Sequence, residues 1–182
     1  MKNSYLFILF FVTSISCMDS VPRKPVSRKT SSSYLKESVK YNKKVIADEE
    51  KILKNIILKD SLSKYIASSK GFWYKYQNKS KLNYYPKFGD KLLFNYEVYT
   101  INNELIYSFN EIGNQTYVVD QQELVEGLRN GLKLMKEGDE ISFLFPSHKM
   151  YGYLGDKNKI RVNQPLKIKV QLIKINKKNE SN

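Results

Sequence analysis

Residues Glu123–Asp139 read ELVEGLRNGLKLMKEGD. Leu124, Leu128, Leu132 and Met135 recur at helical spacing, and Gly138 stands where a helix commonly stops. The spacing predicts one short amphipathic helix. On either side the period changes to two: QTYVVD (Gln115–Asp120) precedes it and EISFLF (Glu140–Phe145) follows, both suited to strands.

Working outward, strand signals continue. FWYKYQ (Phe72–Gln77) is dense in aromatics, YPKFGD (Tyr85–Asp90) is a Pro/Gly turn, and KLLFNYEVYT (Lys91–Thr100) alternates. INNEL turns the chain, Ile106-Tyr107-Ser108 extends the sheet, and LKIKVQLIKI (Leu166–Ile175) closes it. A single short helix among antiparallel strands is an α+β pattern in which the helix covers one sheet face. From Tyr34 to Ser69 the pattern is helical instead. Ile46, Leu53 and Ile57, flanked by Val45, Ile52 and Ile56, make a wide apolar stripe, with Asp48, Glu49 and Glu50 ahead of Lys51, Lys54 and Lys59. That stripe either packs on the domain that follows or forms a dimerisation or client-holding face.

The 182 residues suffice for one compact domain with appendages, and no internal repeat is visible. Thirty-one Lys and Arg against eighteen Asp and Glu give a formal charge of +13, which attracts nucleic acid or anionic membrane. The basic residues are scattered among Ile, Leu and Tyr, as on a solvated surface. No zinc-finger, RNA-binding aromatic or arginine-rich motif accompanies them, so no nucleic-acid partner is expected. The one cysteine allows no intramolecular disulfide and no cysteine-rich metal site. Its position is informative: a basic start, the apolar run YLFILFFV (Tyr5–Val12) and TSISC ending at Cys17 make a signal peptide over residues 1–16. The apolar run is far short of the ~20 residues of a membrane span. Residues 17–33, with MDSVPRKPVSRKTSSS after the cysteine, are too polar to fold and read as a tether. The remaining divisions are a helical segment at 34–70, a folded domain at 71–176 and a polar tail at 177–182.

Five blocks in order then carry a resemblance: GFWYKY, PKFGDKLLFNY, ELVEGLRNGLKLMKEGD, FPSHKMYG and PLKIKVQLIKI. Over Gly71–Ile175 the chain resembles the FKBP-type peptidyl-prolyl cis–trans isomerases. Small residues leading into Cys17 resemble a bacterial lipobox, although Ser14 stands where leucine is usual. The whole resembles the lipid-anchored members of that family associated with gliding motility in Bacteroidetes-type bacteria. The resemblance implies an antiparallel sheet wrapped around one short helix and isomerisation of X–Pro bonds in exported or envelope proteins. It further implies lipidation at Cys17, a periplasm-facing place in the cell envelope at the outer membrane, proline-containing polypeptide clients, and no cofactor or metal. A dimer through the N-terminal helix fits the same picture.

Rotation about an X–Pro bond faces a barrier because the planar amide is resonance-stabilised. An apolar pocket that strips water from the amide, with one or two donors on the carbonyl, lowers that barrier without proton transfer. The resemblance puts the pocket tyrosine of the second strand at Tyr96 and the pair before the helix at Leu124 and Val125, with the Val125 N–H donating to the ligand carbonyl. It puts Leu128 where the best-known members have tryptophan, Tyr151 as the second donor, Ile160 in the loop, and Ile168 where the closing strand usually has phenylalanine. Leu124 and Leu128 would be core in any fold, so their site roles rest wholly on resemblance.

One departure stands out. The family's phenylalanine–aspartate pair aligns on Ile106 and Tyr107, which leaves Tyr107 as a bulkier hydroxyl donor in place of the aspartate. Weakened catalysis, or a domain that holds clients without turnover, would follow from that loss. His148, the only histidine, has no catalytic task, because amide rotation needs no base.

Overall fold

The structure, a computed structural model, describes residues 31–60 and 64–178. The signal sequence, Cys17, residues 18–30 of the expected tether and residues 179–182 lie outside the described residues. The chain divides into two units, Met1–Lys36 and Glu37–Asn182. Of the first, only the opening of a helix is described, with Tyr34 and Leu35 exposed.

That helix, α1 (Ser31–Lys59), begins inside the segment expected to be tether and ends well before Ser69. Its end has a physical cause. Ile66–Ala67 form strand β1, pairing with Tyr74 and Trp73 of β2 (Trp73–Asn78), so this chain satisfies the edge of the sheet instead of continuing as helix. Within the second unit, the apolar stripe of α1 packs on the folded domain. Leu53 is fully buried and Val45, Ile46, Ile56 and Ile57 are half-buried, whereas Ile52 stays exposed. Glu49 is buried beside them, and its carboxylate accepts the Ser147 N–H at 2.7 Å and the Ser147 hydroxyl at 2.6 Å. A buried carboxylate needs such donors, since desolvation is costly unless hydrogen bonds replace the lost water. The compact domain therefore reaches back to Glu37, not only to Gly71.

The remaining elements are β3 (Lys91–Thr100), β4 (Leu105–Tyr107), α2 (Phe109–Ile112), β5 (Gln115–Val118), α3 (Glu126–Leu132), β6 (Glu140–Phe145) and β7 (Leu166–Asn176). Short 3₁₀ turns at Ser147–Lys149 and Gly152–Leu154 lie between β6 and β7. The strands form one antiparallel sheet ordered β1-β2-β6-β7-β3-β4, with β5 also paired to β3. Its spine is the β3–β7 ladder, running from Lys91↔Asn176 to Thr100↔Leu166. The face carrying Leu92, Phe94, Phe143, Ile168 and Val170 is covered by α3, whose Leu128 and Leu132 are buried against it.

Two local details were not expected. α3 stops at Leu132, because the Leu134 and Met135 N–H groups turn back to Gly131 and Leu132 in tight i−3 bonds. Gly138 serves the next turn, with φ +86°, where the buried Asp139 accepts the Lys136 and Ser80 N–H groups at 2.7 Å. The small helix α2 is capped by Ser108, whose Oγ accepts the Glu111 N–H. Ser108 and Glu111 have the spacing of a capping box, a signal present in the sequence.

Candidate functional site

The expected site residues come from six different segments. Leu128 (α3), Ile168 (β7) and Ile160 (the loop before β7) are buried members of the core. Tyr96 (β3), Tyr107 (β4), Leu124 and Tyr151 are half-buried and pack against that same core. Tyr96 pairs with Val170 and Val98 with Ile168, so alternation puts Tyr96 and Ile168 on one sheet face. Val125 is half-buried but not part of the core packing; what it offers is backbone.

Two donors are left open. Val125 precedes α3 with φ −53° and ψ 133°, and its carbonyl accepts the Arg129 N–H at 3.0 Å. Its own N–H has no acceptor among the described residues, as is usual for the first amides of a helix. The Tyr151 hydroxyl likewise makes no hydrogen bond among the described residues. No fully buried side-chain N or O there lacks a partner, so this hydroxyl is reachable by solvent or ligand. Burial, then the neighbouring Tyr96, Asp156 and Tyr107, pushes the Tyr151 phenol up to about 12, which keeps it a donor at neutral pH. Tyr96 is raised as well, by burial and then by Tyr107. The mutual influence of Tyr96, Tyr107, Tyr151 and Asp156 marks one cluster of hydroxyls around one carboxylate.

That carboxylate was not read from the sequence. The Tyr107 hydroxyl, assigned above to ligand donation, is given to Asp156 Oδ2 at 2.5 Å. Asp156 Oδ1 accepts the Asn158 and Ile160 N–H groups at 2.8 Å each, so Asp156 ties the Ile160 loop to the end of β4. Lys159 spans the same corner, 4.7 Å from the centre of the Tyr107 ring and bonded to Glu111. The aspartate absent beside Ile106 is thus matched by a carboxylate from another loop. Asp at a turn is a local signal for an Asx-turn, but its partner 49 positions upstream leaves no trace in the sequence.

Burial acts to raise the Asp156 carboxyl, but the donors from Tyr107, Asn158 and Ile160 outweigh it and hold the group below the ordinary carboxylate value. A depressed folded pKa stabilises the folded state above the unfolded value and loses that contribution as pH falls through the folded value. Asp156→Ala therefore lowers the urea midpoint at pH 7. The gap between wild type and variant narrows below about pH 4; an equal gap at pH 7 and pH 3 would contradict this.

Among the described residues no cluster of His, Cys, Asp and Glu could hold a metal ion. Residues 83–173 match the family model for the FKBP-type peptidyl-prolyl cis-trans isomerase, which is half of the chain. The chain belongs to the FKBP-type isomerase family. Of solved structures, it is similar to the crystal structure of FkpA from Escherichia coli, with TM-score 0.59 and 26% identity over 80% of this chain and 68% of that one. No curated protein matches it. The N-terminal helix followed by an antiparallel sheet and a short helix is the FKBP-like arrangement expected from the sequence.

Proposed function

We propose that this FKBP domain is an active peptidyl-prolyl cis–trans isomerase, acting on exported or envelope proteins from a lipid anchor at Cys17. The reading is carried by one observation: two unengaged donors, the Val125 N–H and the Tyr151 hydroxyl, with the half-buried Tyr96 and Leu124 packed over the apolar core that contains Leu128 and Ile168. The carbonyl groups of an X–Pro segment are the acceptors that these donors lack. The apolar wall excludes water, which solvates the planar, charge-separated amide better than the twisted one. Binding that favours the twisted state lowers the barrier with no nucleophile or base. The envelope location, the outer-membrane anchor and the link to gliding motility rest on the TSISC segment and the family resemblance.

A second reading, a client-binding chaperone or motility scaffold without turnover, is favoured by Ile106–Tyr107 standing where the family carries phenylalanine and aspartate. NMR exchange on a short X–Pro peptide separates the two. The full chain accelerates exchange, and Tyr151→Phe lowers kcat/KM about ten-fold, since one hydrogen bond contributes about 1–1.5 kcal/mol. Val125→Pro removes the other donor at a φ a proline ring accepts, and lowers activity similarly. Folded wild-type protein that leaves the exchange rate unchanged would overturn the catalytic reading and leave the binding one.

A further inference from the structure

A second hollow adjoins Tyr151 where α1 meets the loop after β6. Its volume is about 350 Å³, and its apolar walls are Val45 and Ile46 from α1 and Met150 and Leu154 from the loop. Asn42 and Asn163 stand in the same lining, and neither side-chain amide makes a hydrogen bond among the described residues. Tyr153 and Leu154 are 75% and 58% exposed, an unusual display of large apolar surface beside a functional loop. No carboxylate or ammonium lines the hollow. His148 at its edge is depressed below its ordinary value by partial burial and then by Lys149, and so is neutral at pH 7. The walls are fixed relative to each other, because Glu49 on α1 holds both donors of Ser147, where the loop begins.

We propose that this hollow is a client subsite, receiving an uncharged apolar residue that flanks the target proline in an extended client segment. The proposal rests on the isomerase reading and names the client's chemistry. Continuity supports it, since Tyr151 both offers the open hydroxyl of the proline site and lines the hollow. So does polarity: an extended peptide has unpaired backbone groups, which Asn42 and Asn163 can satisfy, and an apolar side chain, which Val45, Ile46 and Leu154 can cover. A charged flank would lose water here with no partner in return. The size suits a residue or two, at the low end of ligand cavities of about 300–1,000 Å³. A second copy of the chain would need about 800 Å² per partner. α1 thereby selects clients as well as bracing the fold.

The test uses the full chain, a four-residue X–Pro peptide, and a ten-residue peptide with the same X–Pro bond and leucine-rich flanks. NMR exchange gives kcat/KM for each, and fluorescence anisotropy gives the affinity of the labelled long peptide. Wild type prefers the long peptide about ten-fold, the effect of one buried apolar side chain. Ile46→Asp brings that ratio close to one, through KM; should this variant fail to fold by circular dichroism, Ile46→Ala serves, with a smaller drop in the ratio. A wild-type ratio near one, or an unchanged ratio in the variant, overturns the subsite. If wild type turns over neither peptide, the isomerase reading fails instead. Anisotropy then decides: weaker long-peptide binding in the variant upholds the subsite, and equal binding overturns it.

Discussion

Phe143→Ala lowers the unfolding free energy by about 3–5 kcal/mol, a large part of the ~5–15 kcal/mol that holds a typical domain together. Phe143 is fully buried in the middle of β6, its backbone laddered to Tyr74 of β2 on one side and to Ile168 of β7 on the other. Its ring stacks on Phe145 at 5.3 Å and meets Phe72 edge-on at 5.8 Å. Against its other ring atoms lies Gly131 of α3, where even a single added carbon would sit 3.1 Å away. Truncation opens a cavity that two hydrogen-bonded neighbours keep from collapsing, which puts the cost at the upper end of the range. Urea denaturation should show a lower midpoint at unchanged slope. A loss below about 1 kcal/mol would mean that the sheet and α3 close over the gap, against this account of how the helix is seated.

Since α3 rests on Phe143 and Ile168 pairs with it, the same residue underlies the wall of the proline site, and that dependence explains what the sequence could reveal. Alternation is local, so KLLFNYEVYT and EISFLF coincide with β3 and β6 residue for residue. The apolar helix face of Leu128 and Leu132 was equally plain. The missing parts depend on partners far along the chain. The stripe on α1 was visible and packs on the domain with Leu53 buried, but that Glu49 finds Ser147, 98 positions away, was not legible. Tyr107 was read from the family resemblance as a donor to ligand, whereas Asp156, 49 positions later, accepts its hydrogen bond. α3 and α1 both ended early for a related reason: helical periodicity persisted in the residues, but a reversing chain and an unpaired sheet edge claimed the backbone. A fragment starting at Gly71 would lose Leu53 from the core and strip the buried Ser147 of both acceptors.

Gly127→Ala should lower kcat/KM on a short X–Pro peptide by about ten- to a hundred-fold, with a stability loss of about 1–3 kcal/mol. Gly127 is in the first turn of α3, two residues after Val125, and the loop that carries Tyr151 passes directly over it. A methyl group there would lie 2.6 Å from Met150 Sδ, 2.9 Å from the Lys149 carbonyl oxygen and 3.0 Å from the Phe145 ring. Met150 can swing aside, but the Lys149 contact is with backbone, so helix and loop must separate. Their separation shifts the Val125 N–H relative to the loop that carries the Tyr151 hydroxyl, and a bound X–Pro segment can no longer engage both donors. Activity measured well below the variant's melting temperature isolates this displacement from unfolding. Wild-type kcat/KM in a folded but less stable Gly127→Ala would show that the spacing of the two donors does not set the rate. The apolar wall of Tyr96 and Leu124 over Leu128 and Ile168 would then carry the catalysis alone.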